Sequence, residues 1–314
     1  MAEQRTRIPV ILDTDIGDDI DDTWALAMIL NCPELDVKLV VSDYGDTVYR
    51  AEIIAKLLEG ADRTDVPVGV GHRTKDNGGR QSEWVEGYGL AGYPGIVHED
   101  GVGAIVDTMM AAQEQTTLLC IGPVPNIGLA LEREPRIAEK ARFVGMHGNV
   151  DHLRDAEGRL VAEYNVLCAP AALKSVFEAE WEKTVTPLDT CAKVRLQGEK
   201  FAAVRDSDKV LARLVMENYR IWAKHGDIDP DTASSTLFDT VAVYLTYAED
   251  LLQMENLHIS VSPEGRFDLD DSAPQVRTRV CDESILVSSQ LSSTSFCPAC
   301  GMTSREGLRE DVSS

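Results

Sequence analysis

The stretch Pro9-Val-Ile-Leu-Asp13-Thr-Asp15-Ile-Gly17-Asp18-Asp19-Ile-Asp21-Asp22-Thr-Trp24-Ala-Leu26 runs from one apolar segment, through a loop crowded with carboxylates, into a second apolar segment. Ile8–Leu12 reads as a buried strand and Thr23–Asn31 as a helix. Between them, six of the ten residues from Asp13 to Asp22 are aspartates. So many like charges in one loop repel by several kcal/mol unless protons or a cation neutralise them. Ligands that are all oxygen select a hard ion, Ca²⁺ or Mg²⁺. A solvated turn whose aspartates cap the next helix is the plainer alternative. Position decides for the metal, because α/β sheets place ligands at the carboxyl ends of their strands. An EF-hand is excluded: its sixth and twelfth positions need Gly and Glu and, counted from Asp13, these are Asp18 and Trp24.

The alternation continues outward. Val37–Val41, Val66–Val70, Thr117–Ile121 and Arg142–Met146 read as strands. Val48–Gly60, Gly101–Gln113, Asn126–Leu131, Ala169–Ala179, Lys200–His225 and Thr240–Tyr247 read as helices. Leu257–Val261, Val276–Val280 and Ile285–Val287 return to strand character. Strands separated by helices predict an α/β fold with a mostly parallel central sheet flanked by helices, one domain over residues 1–288. Residues 289–314, rich in Ser and Gly, read as a short flexible tail.

At 44% apolar and 26% charged, the chain has the composition of a folded globular protein, not a disordered one. No run approaches the ~18 consecutive apolar residues of a membrane span. The first residues lack the apolar core of an export signal, so a cytoplasmic location is the expectation. With 30 Lys and Arg against 53 Asp and Glu, the net charge of −23 argues against nucleic-acid binding, which needs clustered basic side chains. The 7 cysteines are scattered, mostly in apolar runs where a thiol packs as a small hydrophobe. Cys297-Pro-Ala-Cys300 is the exception, spaced for half a zinc site or a redox pair, but no second such pair lies nearby.

The aspartate loop resembles the N-terminal signature of the inosine–uridine-preferring nucleoside hydrolase family, usually DxDxGxDD, with two extra residues here between Gly17 and the Asp21-Asp22 pair. Further segments match in that family's order. Ile121-Gly-Pro-Val-Pro125-Asn126-Ile-Gly-Leu-Ala-Leu131 resembles its GPLTN-type turn. Gly148-Asn149, then Ala162-Glu163-Tyr164-Asn165, resembles its GGN…EFN pair, and Leu237-Phe238-Asp239-Thr-Val-Ala242 its HDPxA segment. The resemblance implies a Rossmann-like fold, a homodimer or homotetramer, and Ca²⁺-dependent hydrolysis of the N-glycosidic bond of ribonucleosides. It implies that Asp15 is a metal ligand and the general base, with Asp22, Asp239 and the carbonyl of Pro125 as the other protein ligands. By the same resemblance Asp21 grips the ribose 2′-hydroxyl, Asn149, Glu163 and Asn165 bind the other hydroxyls, and Asp13 supports the loop from behind. The residue types suit this chemistry. Cleavage builds positive charge on the ribose, carboxylates stabilise it, and a cation acidifies a water whose proton an adjacent carboxylate takes.

Two positions depart from the family pattern. That pattern places a His before the last metal Asp, where it protonates the departing base; here the residue is Phe238. After the second strand, where AGN is usual, the chain reads Ser42-Asp43-Tyr44-Gly45-Asp46, so Asp46 stands in place of a ribose-contacting Asn. Tyr219, Trp222 and His225, at helical spacing, are candidates for the base side of the pocket: two rings to stack and an imidazole to donate a proton. They read equally as two core aromatics and a solvated His. Trp84, Glu86, Tyr88 and His98 fall in the Gly-rich segment 71–100, a length typical of lids and binding loops. Two other functions stay open. One is a metal-loaded ribose-binding member without turnover; the other is a haloacid-dehalogenase-like phosphatase with Asp13 and Asp15 as nucleophile and acid/base.

Overall fold

The computed structural model describes residues 7–76 and 78–278. Strand β1 (Ile8–Thr14) lies between two parallel partners, β2 (Leu35–Ser42) and β5 (Thr116–Cys120). A strand covered on both faces has to be apolar through its centre, and Val10-Ile-Leu12 is. Outside β2 come β3 (Val68–Val70) and β4 (Val97–His98); outside β5 come β6 (Ala141–Met146) and β7 (Lys183–Thr186), all parallel. The far edge is finished by β10 (Gln275–Thr278), parallel to β7, then β8 (Glu255–Val261) and β9 (Phe267–Leu269), both antiparallel. The order is β4-β3-β2-β1-β5-β6-β7-β10-β8-β9.

Two cores sandwich this sheet. One face packs against α1 (Asp21–Asn31), α2 (Thr47–Gly60), α9 (Val210–Ala223) and α10 (Phe238–Leu245). The other packs against α3 (Gly101–Ala111), α4 (Pro125–Arg133) and α6 (Pro170–Glu178). The two-residue period of β1 divides its side chains accordingly, Val10 and Leu12 to the first core and Ile11 to the second. Short helices α5 (Tyr164–Cys168), α7 (Leu188–Cys191) and α8 (Gly198–Arg205) lie in the connections. Strand order reverses at β1, since the chain goes to β2 on one side and reaches β5 on the other. The carboxyl ends of β1 and β5 therefore border the crevice where doubly wound sheets bind ligands.

The structure corrects several expected elements. Lys200–His225 is two helices, α8 and α9, because Asp206-Ser207-Asp208 interrupts them; such side chains bond local backbone in preference to continuing a helix, and Ser207 Oγ accepts from the Lys209 amide at 3.2 Å. The strand β7 carries one aliphatic residue in four and escapes a hydrophobicity reading. Segment 71–100 is not a free loop: it contains β4 and two 3-10 turns anchored by the buried rings of Trp84 and Tyr93. Ile285–Val287, the tail 289–314 and Cys297 with Cys300 lie outside the described residues. Among the described residues no helix is long and apolar enough to cross a membrane.

Candidate active site

Asp21 and Asp22 occupy the first turn of α1, Asp239 the first turn of α10, and these two helices pack on one another. Each carboxylate thus sits at a helix N-terminus, where unpaired N–H groups favour negative charge. All three residues are buried, with one oxygen of each within 4.8 Å of the others. Bonds from Ca²⁺ to oxygen of about 2.3–2.6 Å allow neighbouring ligand oxygens up to about 5.2 Å apart, so the trio has the dimensions of one cation site. Asp21 and Asp239 are hydrogen-bonded to each other. Burial first, then repulsion from neighbouring acids (Asp19 for Asp21, Asp15 and Asp21 for Asp22, Asp21 and Asp22 for Asp239), pushes all three well above the usual carboxylate range. Thr14 Oγ1 donates to Asp22 at 2.5 Å and fixes its rotamer.

Asp15 follows β1 and faces this trio from the side. Its Oδ2 is 3.9 Å from Arg50 Nη2 on α2. Burial, opposed by Arg50, lifts Asp15 to about 6. Two more acids lie beneath. Asp13 accepts from Asn126 Nδ2 at 2.8 Å, and Asn126 in turn accepts from the His72 amide at 2.7 Å. Asp43 accepts from the Val124 amide at 2.9 Å, and burial together with Asp15 lifts it to about 7. Among the described residues, Asp13 Oδ2, Asp43 Oδ1 and Arg50 Nε have no hydrogen-bond partner. One buried guanidinium does not balance six buried carboxylates, and a divalent cation at the trio fits that deficit.

Asp15, Asp21, Asp22 and Asp239 line a cavity of about 470 Å³, within the range of small-molecule sites. Met146, Leu153, Val161, Leu188 and Phe238 supply apolar lining. Glu163 and Asn165 also line it. Glu163 caps α5, accepting from the amides of Asn165 at 2.7 Å, Gly148 at 3.0 Å and Val166 at 3.2 Å. Burial outweighs these bonds and lifts it to about 7. Asn165 donates to the carbonyls of Ile121 and Met146, both at 3.0 Å, leaving Oδ1 as its remaining polar atom.

Other expected site residues stand elsewhere. Asn149 is not in the cavity wall: its amide donates to the carbonyls of Leu153 and Val161 and accepts from the amides of His152 and Leu153, which spends its hydrogen-bonding capacity on the 150–161 loop. Asp46 caps α2 through the Tyr49 amide and pairs with Arg73 at 3.0 Å, also outside the wall. Pro125 opens α4 after Val124, whose φ is +65°, and the wall from this turn is Ile121. Tyr219 lies in the core between Trp24 and Trp222, each ring 5.9 Å away, and His225 is exposed. Trp222 is buried with its indole turned to the aspartate loop. Nearness in sequence to Asp239 misleads here, because the α9 face bearing Tyr219 and Trp222 is the one that packs on α1.

That indole belongs to a clamp the sequence does not announce. Four successive carbonyls of the aspartate loop each receive a side chain: Ile16 from Arg50 Nη1 at 3.0 Å, Gly17 from Tyr49 Oη at 2.8 Å, Asp18 from Trp222 Nε1 at 3.0 Å, and Asp19 from Gln81 Nε2 at 2.7 Å. Gln81 is fully buried, and its Oε1 accepts from Asn218 Nδ2 at 2.6 Å and Thr23 Oγ1 at 3.2 Å. Gly17 itself has φ +119°, and a Cβ there would lie 2.8 Å from the Tyr49 ring. Of its members the sequence singled out only Trp222, and for the base side of the pocket; Arg50 stands as a charge among the buried positions of α2.

Residues 10–288 match the family model described as inosine-uridine preferring nucleoside hydrolase. The chain is 24% identical over 277 residues to the inosine-uridine preferring nucleoside hydrolase of Crithidia fasciculata, covering 83% of this chain and 85% of that protein. It is 26% identical over 272 residues to the non-specific ribonucleoside hydrolase RihC of Escherichia coli, covering 83% and 86%. Among solved structures, the plant nucleoside hydrolase PpNRh1 shares the fold with a TM-score of 0.77 at 21% identity, over 93% of this chain and 99% of that one. A purine-preferring ribonucleoside hydrolase from Gardnerella vaginalis does so at 0.72 and 19%, over 94% and 100%. The matched span contains both arms of the aspartate cluster, and the chain belongs to the inosine-uridine preferring nucleoside hydrolase family, whose enzymes cleave the N-glycosidic bonds of nucleosides.

Proposed function

We propose that this protein hydrolyses ribonucleosides to free base and ribose, with Ca²⁺ held by Asp22 and Asp239, flanked by Asp15 and Asp21, and with Asp15 as general base. The observation that carries this reading is the convergence of acids from two distant helix N-termini at one end of a nucleoside-sized cavity. Ca²⁺ is favoured over Mg²⁺ because several carboxylates crowd one site, and Ca²⁺ takes about 6–8 oxygen ligands in flexible geometry where Mg²⁺ keeps most of its waters. When bound, the cation would acidify a water and grip the sugar diol.

The remaining work falls to the side chains. Asp15 is placed at the edge of the trio, and Arg50 behind it holds its carboxylate in the ionised form that accepts a proton. Asp21 and Asn165 Oδ1 present acceptors to ribose hydroxyls. As the C1′–N bond lengthens, charge grows on the ribose, and the fixed carboxylates around it stabilise that charge without reorganising. Glu163, locked by three backbone amides, keeps its carboxylate at the sugar's edge.

Release of ribose from a panel of purine and pyrimidine nucleosides tests the reading. Turnover in calcium that a chelator abolishes and added calcium restores is the expected result; no ribose from any nucleoside would overturn it. Phe238 in the wall favours one second reading, a ribose-binding protein without turnover. Hydrolysis of p-nitrophenyl riboside, whose leaving group departs without a proton, would exclude it.

A further inference from the structure

We propose that the preferred substrates are ribosides whose aglycone already carries a positive charge, of the pyridinium type, in preference to neutral purine or pyrimidine nucleosides. This rests on the hydrolase reading and narrows it. A neutral base leaves with the bonding electron pair and needs a proton, and a positioned acid is commonly worth ~10²–10⁴-fold in rate. Among the described residues no His, Lys or Cys lines this cavity. The rest of the lining is largely hydrocarbon and ring, with Met146, Leu153, Val161, Leu188 and Phe238. Besides the carboxyls, the proton-bearing groups that line it are Arg80, which keeps its proton, and Tyr164, whose phenol burial pushes up from its ordinary value. Glu163 has both oxygens occupied as acceptors of backbone amides.

A cationic aglycone removes that requirement. Water oxygen bonds to C1′, the C1′–N bond breaks, and its electron pair returns to the ring nitrogen and cancels the positive charge there. The water's proton passes to Asp15 and on to solvent, so riboside cation plus water gives neutral heterocycle, ribose and one proton. The walls also recognise such a group. Seven carboxylates and one guanidinium line the cavity, an acidic excess that a single dication leaves in place. Phe238 and Tyr164 line the same space, and aromatic rings attract cations over their faces.

The experiment compares kcat/KM of the intact protein in saturating calcium on three ribosides: the N-riboside of nicotinamide, inosine and p-nitrophenyl riboside. The pyridinium riboside should exceed inosine by at least ~10²-fold, the worth of the missing acid. Raising the salt concentration should lower kcat/KM for the pyridinium riboside more than for p-nitrophenyl riboside, because only the first is drawn in by charge. Inosine cleaved as well as the pyridinium riboside overturns the proposal, as does an equal salt response. Cleavage of p-nitrophenyl riboside with an inert pyridinium riboside overturns the preference and leaves the hydrolase reading standing; inertness of all three overturns both.

Discussion

Asp239 sits among Asp21, Asp22 and Asp15, each of which pushes its proton affinity up after burial has done so. Without a cation that grouping is repulsive, and with one it is a set of ligands. Asp239→Asn should therefore raise the melting temperature in chelator by a few degrees while abolishing both hydrolysis and the rise that calcium gives the native chain. An unaltered calcium shift on differential scanning would remove Asp239 from the ligand set. The acids were legible because carboxylates this dense have few uses other than a cation. Orientation was not legible: Asn149 is the residue type the family resemblance leads one to expect and Asp46 stands where it expects an Asn, yet their hydrogen bonds are spent on the 150–161 loop and on the N-terminus of α2. Gln81 had no signal at all, since a buried glutamine looks like any other until its partners are known.

The aspartate loop behaves as an element held from outside, because α2, α9 and the segment after β3 each bond its carbonyls. Gln81→Leu takes the side-chain donor from the Asp19 carbonyl and the acceptor from the Thr23 hydroxyl, and leaves the Asn218 amide only Thr23 Oγ1 at 3.4 Å; each buried group left unpaired costs roughly 1–3 kcal/mol. We expect it to lower the melting temperature and also to weaken calcium affinity severalfold, read by terbium luminescence at the site. A lower melting temperature with unaltered terbium affinity would mean the clamp stabilises the fold without shaping the site. Gly79→Ala acts on the same contact, since a Cβ there would stand 2.3 Å from the Gly17 carbonyl; loss of metal affinity is again expected. At this scale the strands and helices around β1 followed from their apolar periods. The α8–α9 break and β7 did not, because apolar spacing runs on past Asp206-Ser207-Asp208 and because a strand flanked on both edges can be as polar as Lys183-Thr-Val-Thr.

For the whole molecule the buried acids set the response to pH. In the cation-free fold Asp15 lies at about 6 and Asp43 and Glu163 at about 7, against about 4 for unfolded carboxyls. Raised native values mean that the folded state binds protons more tightly than the unfolded one. Their stabilising contribution is complete below about pH 4 and lost as pH rises through 6 to 7. The melting temperature in chelator should fall between about pH 5 and 8, and saturating calcium should flatten the fall, because ionised ligands bind it better. Calcium at a hundred times its dissociation constant should add about 2.7 kcal/mol, and melting curves that chelation leaves in place would count against the site.

The two arms of the cluster come from opposite ends of the matched chain, Asp21 and Asp22 near its start and Asp239 near its finish. During synthesis the first arm emerges more than two hundred residues before its counterpart. On the proposed reading, calcium capture would be a property of the finished product alone, and a truncated or nicked copy that fails to dock α10 should forfeit the ion. The ion would then act as an inspector of completeness, since the site is assembled only when α10 has docked on α1.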